Sequence, residues 1–97
     1  MQAIYEVRLF IAPEIETAYL EWLEPHTQFV VKTGGFVKAN LYREDHDEVV
    51  WVVHYHARSV EDIHNYIRDK SGETRAEALS RFGTSFRAER RILVSTT

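Results

Sequence analysis

The chain has 97 residues, of which 44% are hydrophobic and 12% are aromatic, and its formal net charge is −3 at pH 7. This composition is typical of one small folded domain over residues 1–97 and argues against a disordered chain. The weakly acidic balance argues against a nucleic-acid partner, and the lack of cysteine excludes disulfides and thiolate metal sites.

Neither the N-terminal segment nor any later stretch resembles a membrane or export signal. The first ten residues lack the basic start and apolar run of a signal peptide, and no stretch approaches the roughly 20 apolar residues that cross a bilayer. We therefore expect a cytoplasmic protein with no membrane partner.

Four segments have the alternation and the β-branched or aromatic content of strands: residues 3–11, 36–43, 49–57 and 84–94. A helix is predicted from Pro13 to Gly34, and Pro25 should kink or restart it. A second helix should begin at Ser59, which has Asp62 three residues later in a variant of the capping box. We expect Gly72 to interrupt this helix, with a further helical piece over residues 73–82.

The order of these elements is β-α-β-β-α-β, which is the pattern of a ferredoxin-like α+β fold. The polar turn at residues 44–48 makes the second and third strands a hairpin. Right-handed crossovers place both helices on one face of a four-stranded antiparallel sheet. The other face of the sheet then carries no helix.

Two histidines two residues apart on the third strand should lie on this helix-free face. Side chains at positions i and i+2 of a strand share a face, so His54 and His56 are neighbours. The face is too apolar for water and too charged for a monomer core, which favours contact with a second copy of the chain and a dimeric α+β barrel. The predicted dimer interface consists of Glu6, Arg8, Val50, Val52, His54 and His56.

A metal site at His54 and His56 is the weaker alternative, since five histidines produce such a spacing by chance. Histidines exposed to solvent with no role are a further alternative. We therefore expect no bound metal and no cofactor.

An aromatic stripe on the first helix predicts a small-molecule cavity between helix and sheet. The predicted lining consists of Tyr5, Tyr19, Trp22, His26, Trp51 and Tyr55. An aromatic stripe at helical spacing is also typical of an ordinary core, so that alternative stays open. No nucleophile–base–acid set is recognisable, and His26 is the best candidate for proton transfer because its ordinary pKa is near neutrality.

Five stretches of the chain jointly resemble the DUF4286 family of small uncharacterised bacterial proteins: "IYEVRL", "YLEWLEPH", "GGFVKANLYR", "WVVHYHARSVEDI" and "RFGTSFRAERRIL". The likeness extends from Ile4 to Leu93 in the same order. It implies a ferredoxin-like subunit related to the dimeric α+β barrel proteins and brings no established activity.

Two functional hypotheses follow. The first is a homodimeric binding or accessory protein with a small-ligand cavity between helices and sheet. The second is a cofactor-free monooxygenase- or cyclase-like enzyme, by analogy with the wider barrel group, which acts on an aromatic or polyketide-like substrate. Whether the protein is an enzyme stays open at this point.

Overall fold

The computed structural model describes residues 2–96, so Met1 and Thr97, the ends of the predicted 1–97 domain, lie outside the described residues. The elements are β1 (Ala3–Ile11), α1 (Glu16–Gly34), β2 (Lys38–Arg43), β3 (Val50–Ala57), α2 (Val60–Asp69), α3 (Ser71–Phe82) and β4 (Phe86–Val94). A short 3₁₀ turn at Pro13–Ile15 leads into α1.

All four strands form one antiparallel sheet with the order β2-β3-β1-β4. The helices cover one face of this sheet, and within residues 2–96 no helix lies on the other face. The predicted ferredoxin-like α+β fold is therefore confirmed, with the second helical region divided into α2 and α3.

The register of the strands confirms which side chains share each face. Tyr5 lies opposite Tyr55 of β3, and both face the helices. Glu6 lies opposite His54 on one side and opposite Arg91 on the other. Because strand side chains alternate, this places Glu6, His54 and Arg91 together on the helix-free face.

Helix α1 continues through Pro25, contrary to the predicted kink or restart. Proline has no backbone N–H, so the carbonyl of Glu21, four residues before Pro25, has no helical hydrogen bond from that position. Glu21 is exposed to solvent. The helix is held on both sides of the proline, because Leu23 before it and Val30 after it are both buried. Packing of both halves therefore outweighs the missing hydrogen bond.

The second helical region is divided at Lys70, two residues before the predicted position at Gly72. The Oγ of the buried Ser71 donates a hydrogen bond of 2.7 Å to the carbonyl of Ile67, so it caps the end of α2. Gly72 lies inside the first turn of α3. The predicted cap at Ser59 is confirmed, since its Oγ accepts a bond from the backbone N–H of Asp62 at 3.2 Å.

The core lies between the helices and the central strands. Tyr19 and Val30 of α1, Val53 of β3 and Ile63 of α2 are at most 2% exposed. α3 contributes only Ser71 and Ala78 as buried residues, so it covers the sheet less tightly than α1 does. Within residues 2–96, no helix combines the length and the hydropathy that a membrane crossing requires.

Candidate functional site: a cavity between the helices and the sheet

A cavity of about 260 Å³ lies between the helices and the sheet. Its aromatic walls consist of Tyr5, Tyr19, Trp22, His26, Tyr55, Tyr66 and Phe86. An apolar cavity of about 150 Å³ is enough to hold benzene. This cavity therefore has space for an aromatic molecule of one or two rings.

The strand register brings tyrosines together on one wall of the cavity. The rings of Tyr5 and Tyr55, which are directly opposite in the sheet, have centroids 6.1 Å apart. Tyr66 of α2 approaches Tyr5 with a centroid separation of 6.0 Å. These rings are inclined to one another, by 28° for Tyr5 with Tyr55 and by 59° for Tyr5 with Tyr66, and they give this wall an aromatic surface.

Helix α1 forms the opposite wall because its cavity residues follow helical spacing. Tyr19, Trp22, Leu23 and His26 occupy positions i, i+3, i+4 and i+7, which share one face of a helix. The edge of Tyr19 meets the ring of Trp22 at a centroid distance of 5.6 Å. This face contains the only histidine among the described lining residues.

His26 is buried in this wall without a hydrogen-bond partner for one of its nitrogens. Its side chain is only 8% exposed, and its Nε2 has no partner among the described residues. Burial lowers the pKa of His26, although the nearby carboxylate of Glu77 acts in the opposite direction. The imidazole is therefore neutral at pH 7, and one of its two ring nitrogens carries no proton and can accept a proton or a hydrogen bond.

Phenol groups around the cavity stay protonated near neutral pH. Burial raises the pKa of Tyr19, Tyr55 and Tyr66 above the usual tyrosine value. The Tyr66 hydroxyl lies 3.4 Å from the Oγ1 of Thr74, which joins α2 to α3 at this point. The three phenols are therefore hydrogen-bond donors rather than charged groups.

Five of the six predicted ligand-binding residues line this cavity: Tyr5, Tyr19, Trp22, His26 and Tyr55. The sixth, Trp51, is not among its lining residues, because its Nε1 donates a hydrogen bond of 2.8 Å to the Oε2 of Glu16 at the start of α1. Binding of a ligand by these residues stays a prediction, as does proton transfer by His26.

Several lining residues were missed at the level of sequence, including Tyr66, Thr74, Arg75 and Arg90. A signal for Arg90 was present, because it occupies a helix-facing position in the alternating pattern of β4, opposite Val7. No comparable signal exists for Thr74 and Arg75, since the face that α3 turns to the sheet depends on where α2 ends.

The helix-free face holds a network of paired charges around Glu6. The Nε2 of His54 donates a hydrogen bond of 2.8 Å to Glu6, whose second carboxylate oxygen accepts from the Nε of Arg91. Arg91 first, and His54 to a lesser extent, hold the pKa of Glu6 below its usual value despite burial. Glu6 is only 7% exposed, and its negative charge is compensated within the chain.

A second ion network on the same face is centred on Arg8. Its guanidinium binds the carboxylate of Glu44 through two nitrogens and approaches Glu89 at 3.4 Å. Bonds from Arg8, and then from His46, lower the pKa of Glu44 to about 2. This pairing draws the polar turn at residues 44–48 back toward the sheet.

His54 and His56 are neighbours, as predicted, but their Nε2 atoms face different partners. The amide of Asn40 donates a hydrogen bond of 3.2 Å to the Nε2 of His56. Burial, followed by the charges of Lys38 and His54, lowers the pKa of His56 and keeps it a neutral acceptor. Among residues 2–96, no group of three or more His, Cys, Asp and Glu side chains could hold a metal ion.

Comparison of the sequence with protein families identifies the chain. The model of DUF4286, a domain of unknown function, matches residues 2–96. The chain belongs to the DUF4286 family. No curated protein is significantly similar to this DUF4286 chain in sequence.

Solved structures resemble this DUF4286 protein in fold. A candidate antibiotic biosynthesis monooxygenase from Deinococcus radiodurans has a TM-score of 0.76 at 10% identity, and the match covers 98% of this chain and 93% of that chain. SnoaB, a cofactor-independent oxygenase from Streptomyces nogalater, has a TM-score of 0.70 at 17% identity and coverage of 99% and 94%.

A dimeric ferredoxin-like protein from an uncultured marine organism has a TM-score of 0.72 at 12% identity, with coverage of 99% of this chain and 95% of that chain. At these identities the likeness concerns the fold alone. It supports the ferredoxin-like architecture of the DUF4286 protein.

Proposed function

We propose that this protein binds a planar aromatic molecule of one or two rings in the cavity between helices and sheet. The observation that carries this proposal is the buried, unpartnered Nε2 of His26, a residue of the largely aromatic cavity lining. A buried polar atom without a partner costs about 1–3 kcal/mol, which a ligand hydroxyl or amide group would recover by donating to it. The surrounding rings supply stacking surface for the same ligand.

The first test compares two coumarins that differ in one donor. We expect 7-hydroxycoumarin to bind the purified protein in calorimetric titrations more tightly than 7-methoxycoumarin by about tenfold, because only the hydroxyl can donate to His26. In His26→Phe this preference should disappear, and in the control His64→Phe, on the exposed side of α2, it should remain. Failure of both coumarins and of the aromatic acids tested below to bind would overturn the proposal.

A cofactor-independent oxygenase is the second candidate function, and the neutral state of His26 favours it. We propose for this candidate that His26 removes a proton from an activated CH₂ group, so that the resulting carbanion can reduce O₂ directly. One oxygen atom is retained as a carbonyl and the other leaves as water, which balances as R₂CH₂ + O₂ → R₂C=O + H₂O. The fold shared with SnoaB, a cofactor-independent oxygenase, supports this candidate.

Oxygen uptake tests this second candidate separately from binding. With 2-tetralone as substrate, whose benzylic CH₂ adjoins a carbonyl, we expect uptake of O₂ that falls by about 100-fold in His26→Ala. Trp22→Phe should reduce the rate by a smaller factor, because Trp22 stacks on His26 without carrying the proton. No uptake above a protein-free control would overturn the oxygenase and leave the binding function standing.

We also propose that the helix-free face, with Glu6, Arg8, Val50, Val52, His54 and His56, is the interface of a homodimer. The charges of Glu6 and Arg8 are paired within the chain, so a second copy could cover them without leaving either ion unpaired. The dimeric ferredoxin-like protein of similar fold supports the same arrangement.

Native mass spectrometry measures this assembly and any bound mass together. We expect a dimer for the purified chain and a monomer for Tyr42→Arg, because Tyr42 is 49% exposed on the same face and lies opposite Val52. The control Val94→Arg alters a residue of similar exposure on the helix-bearing face, opposite Ala3, and should remain a dimer. A monomeric unmodified chain would overturn the interface.

A further inference from the structure

The described lining of the cavity carries two positive charges and no acidic side chain. The charges belong to Arg75 of α3 and Arg90 of β4. Glu73 and Glu77 line a neighbouring groove, which shares His26, Tyr66 and Thr74 with the cavity. The cavity therefore has a net positive lining in a protein whose overall charge is −3.

Neither cavity arginine has a hydrogen-bond or ion-pair partner in the part of the chain that the structure describes, residues 2–96. Arg8 and Arg91, on the opposite face of the sheet, are both bound to carboxylates. The guanidinium groups beside the cavity are thus available to a ligand, whereas those on the helix-free face are already occupied.

The position of Arg90 ties its charge to the tyrosines of the cavity. Arg90 lies opposite Val7 and faces the helices, where the alternation of β4 otherwise places apolar residues. Its charge acts on both Tyr19 and Tyr66, and Arg75 also acts on Tyr66. Both arginines therefore line the same cavity as Tyr66 and lie close enough to act on its charge.

We propose that the cavity selects an aromatic carboxylate, with its ring against the tyrosine wall and its carboxylate bound by Arg75 and Arg90. This inference rests on the proposed binding function and further specifies that the ligand is negatively charged. The guanidinium geometry suits a carboxylate, to which arginine can donate two parallel hydrogen bonds.

The test compares two coumarins of nearly the same shape, one with a charged and one with a neutral group at position 3, and 7-hydroxycoumarin is a further neutral reference. By calorimetric titration we expect coumarin-3-carboxylate to bind about tenfold more tightly than coumarin-3-carboxamide. The difference should shrink as salt is raised, because the arginines are partly exposed to solvent.

Variants test which residues cause the preference for the carboxylate over the carboxamide. Arg75→Gln and Arg90→Gln should each weaken carboxylate binding by about threefold to fivefold and leave carboxamide binding unchanged. The double variant should bind both compounds equally. Arg68→Gln, which removes the same charge from the exposed surface of α2, is the matched control and should bind like the unmodified chain. Arg90→Lys should recover part of the affinity, because it restores the charge without the planar guanidinium.

The two proposals fail in different ways. Equal binding of the carboxylate and the carboxamide, with no effect of the arginine variants, would overturn the charge selectivity and leave the binding function standing. An unchanged carboxylate affinity in the double variant would overturn the assignment to Arg75 and Arg90. If the coumarin acids and the neutral coumarins all failed to bind, the binding function itself would fall.

Discussion

The imidazole of His26 lies almost parallel to the indole of Trp22, with ring centroids 4.3 Å apart and an angle of 17° between the planes. The indole is held in turn by Glu77 of α3, whose Oε1 accepts a hydrogen bond of 3.3 Å from its Nε1. This chain of contacts joins α1 to α3 and fixes the orientation of the unpartnered histidine beside the cavity.

Replacement of His26 by phenylalanine should stabilise the protein. His26→Phe keeps a ring against Trp22 and removes the unpartnered Nε2, so we expect the free energy of unfolding to rise by about 1 kcal/mol. Urea denaturation measures this change. The exposed-site control His64→Phe should change it by no more than about 0.5 kcal/mol. A lower urea midpoint for His26→Phe would contradict the burial of an unsatisfied nitrogen.

Stability should fall as the pH decreases from about 7 to about 5. Because the folded-state pKa of His26 is lowered from 6.5, the unfolded chain takes up a proton more readily than the folded chain. The contribution of His26 is therefore complete above pH 6.5 and is lost below it. His56 acts in the same direction. Thermal unfolding at several pH values should show a shallower dependence for His26→Phe, and an identical slope would contradict the prediction.

Loss of the Glu6 carboxylate should destabilise the sheet. Glu6→Gln weakens the hydrogen bonds from both His54 and Arg91 to a nearly buried group, and we expect a cost of about 1–2 kcal/mol. Glu89→Gln is the matched control, because its exposed carboxylate meets Arg8 only at 3.4 Å and should matter by less than about 0.5 kcal/mol. If the two variants lost the same free energy of unfolding in urea denaturation, the prediction that burial strengthens the contribution of Glu6 would be wrong.

Two glycines should respond oppositely to alanine. A Cβ at Gly34 would lie 2.7 Å from the ring of Phe36 and 2.9 Å from the ring of Tyr66, both buried. Gly34→Ala should therefore cost about 1–3 kcal/mol by overpacking. Gly72, inside α3, has no atom within 4 Å of an added Cβ, and Gly72→Ala should stabilise by about 0.5–1 kcal/mol. Melting temperatures measure both changes, and a more stable Gly34→Ala would contradict the close approach.

The alternation of single strands predicted which residues share each face of the sheet, and the register confirmed it for Tyr5 with Tyr55 and for Glu6 with His54. Helical spacing likewise predicted that Tyr19, Trp22 and His26 share a wall. These predictions succeed because the direction of a side chain follows from its backbone repeat, which is a local property.

Contacts between elements far apart in sequence could not be predicted from a backbone repeat. Trp51 has the pattern of a core residue, yet its indole binds Glu16 rather than the cavity. The division of the second helical region at Lys70 depends on the burial of Ser71 and its bond to Ile67. The contact of Trp51 with Glu16 depends on the relative positions of elements far apart in sequence. The division at Lys70 depends on how the whole helical region packs.

The amino-acid sequence by itself determined the order of the elements and the two faces of the sheet, because periodicity, caps and turns act over a few residues. The family followed from the likeness of the sequence to the family model over residues 2–96. Only the tertiary structure decided that the aromatic stripe encloses a cavity, that the Nε2 of His26 lacks a partner and that Arg75 and Arg90 share one lining. Those properties depend on how closely α3 packs over the sheet, and packing is set by the whole molecule.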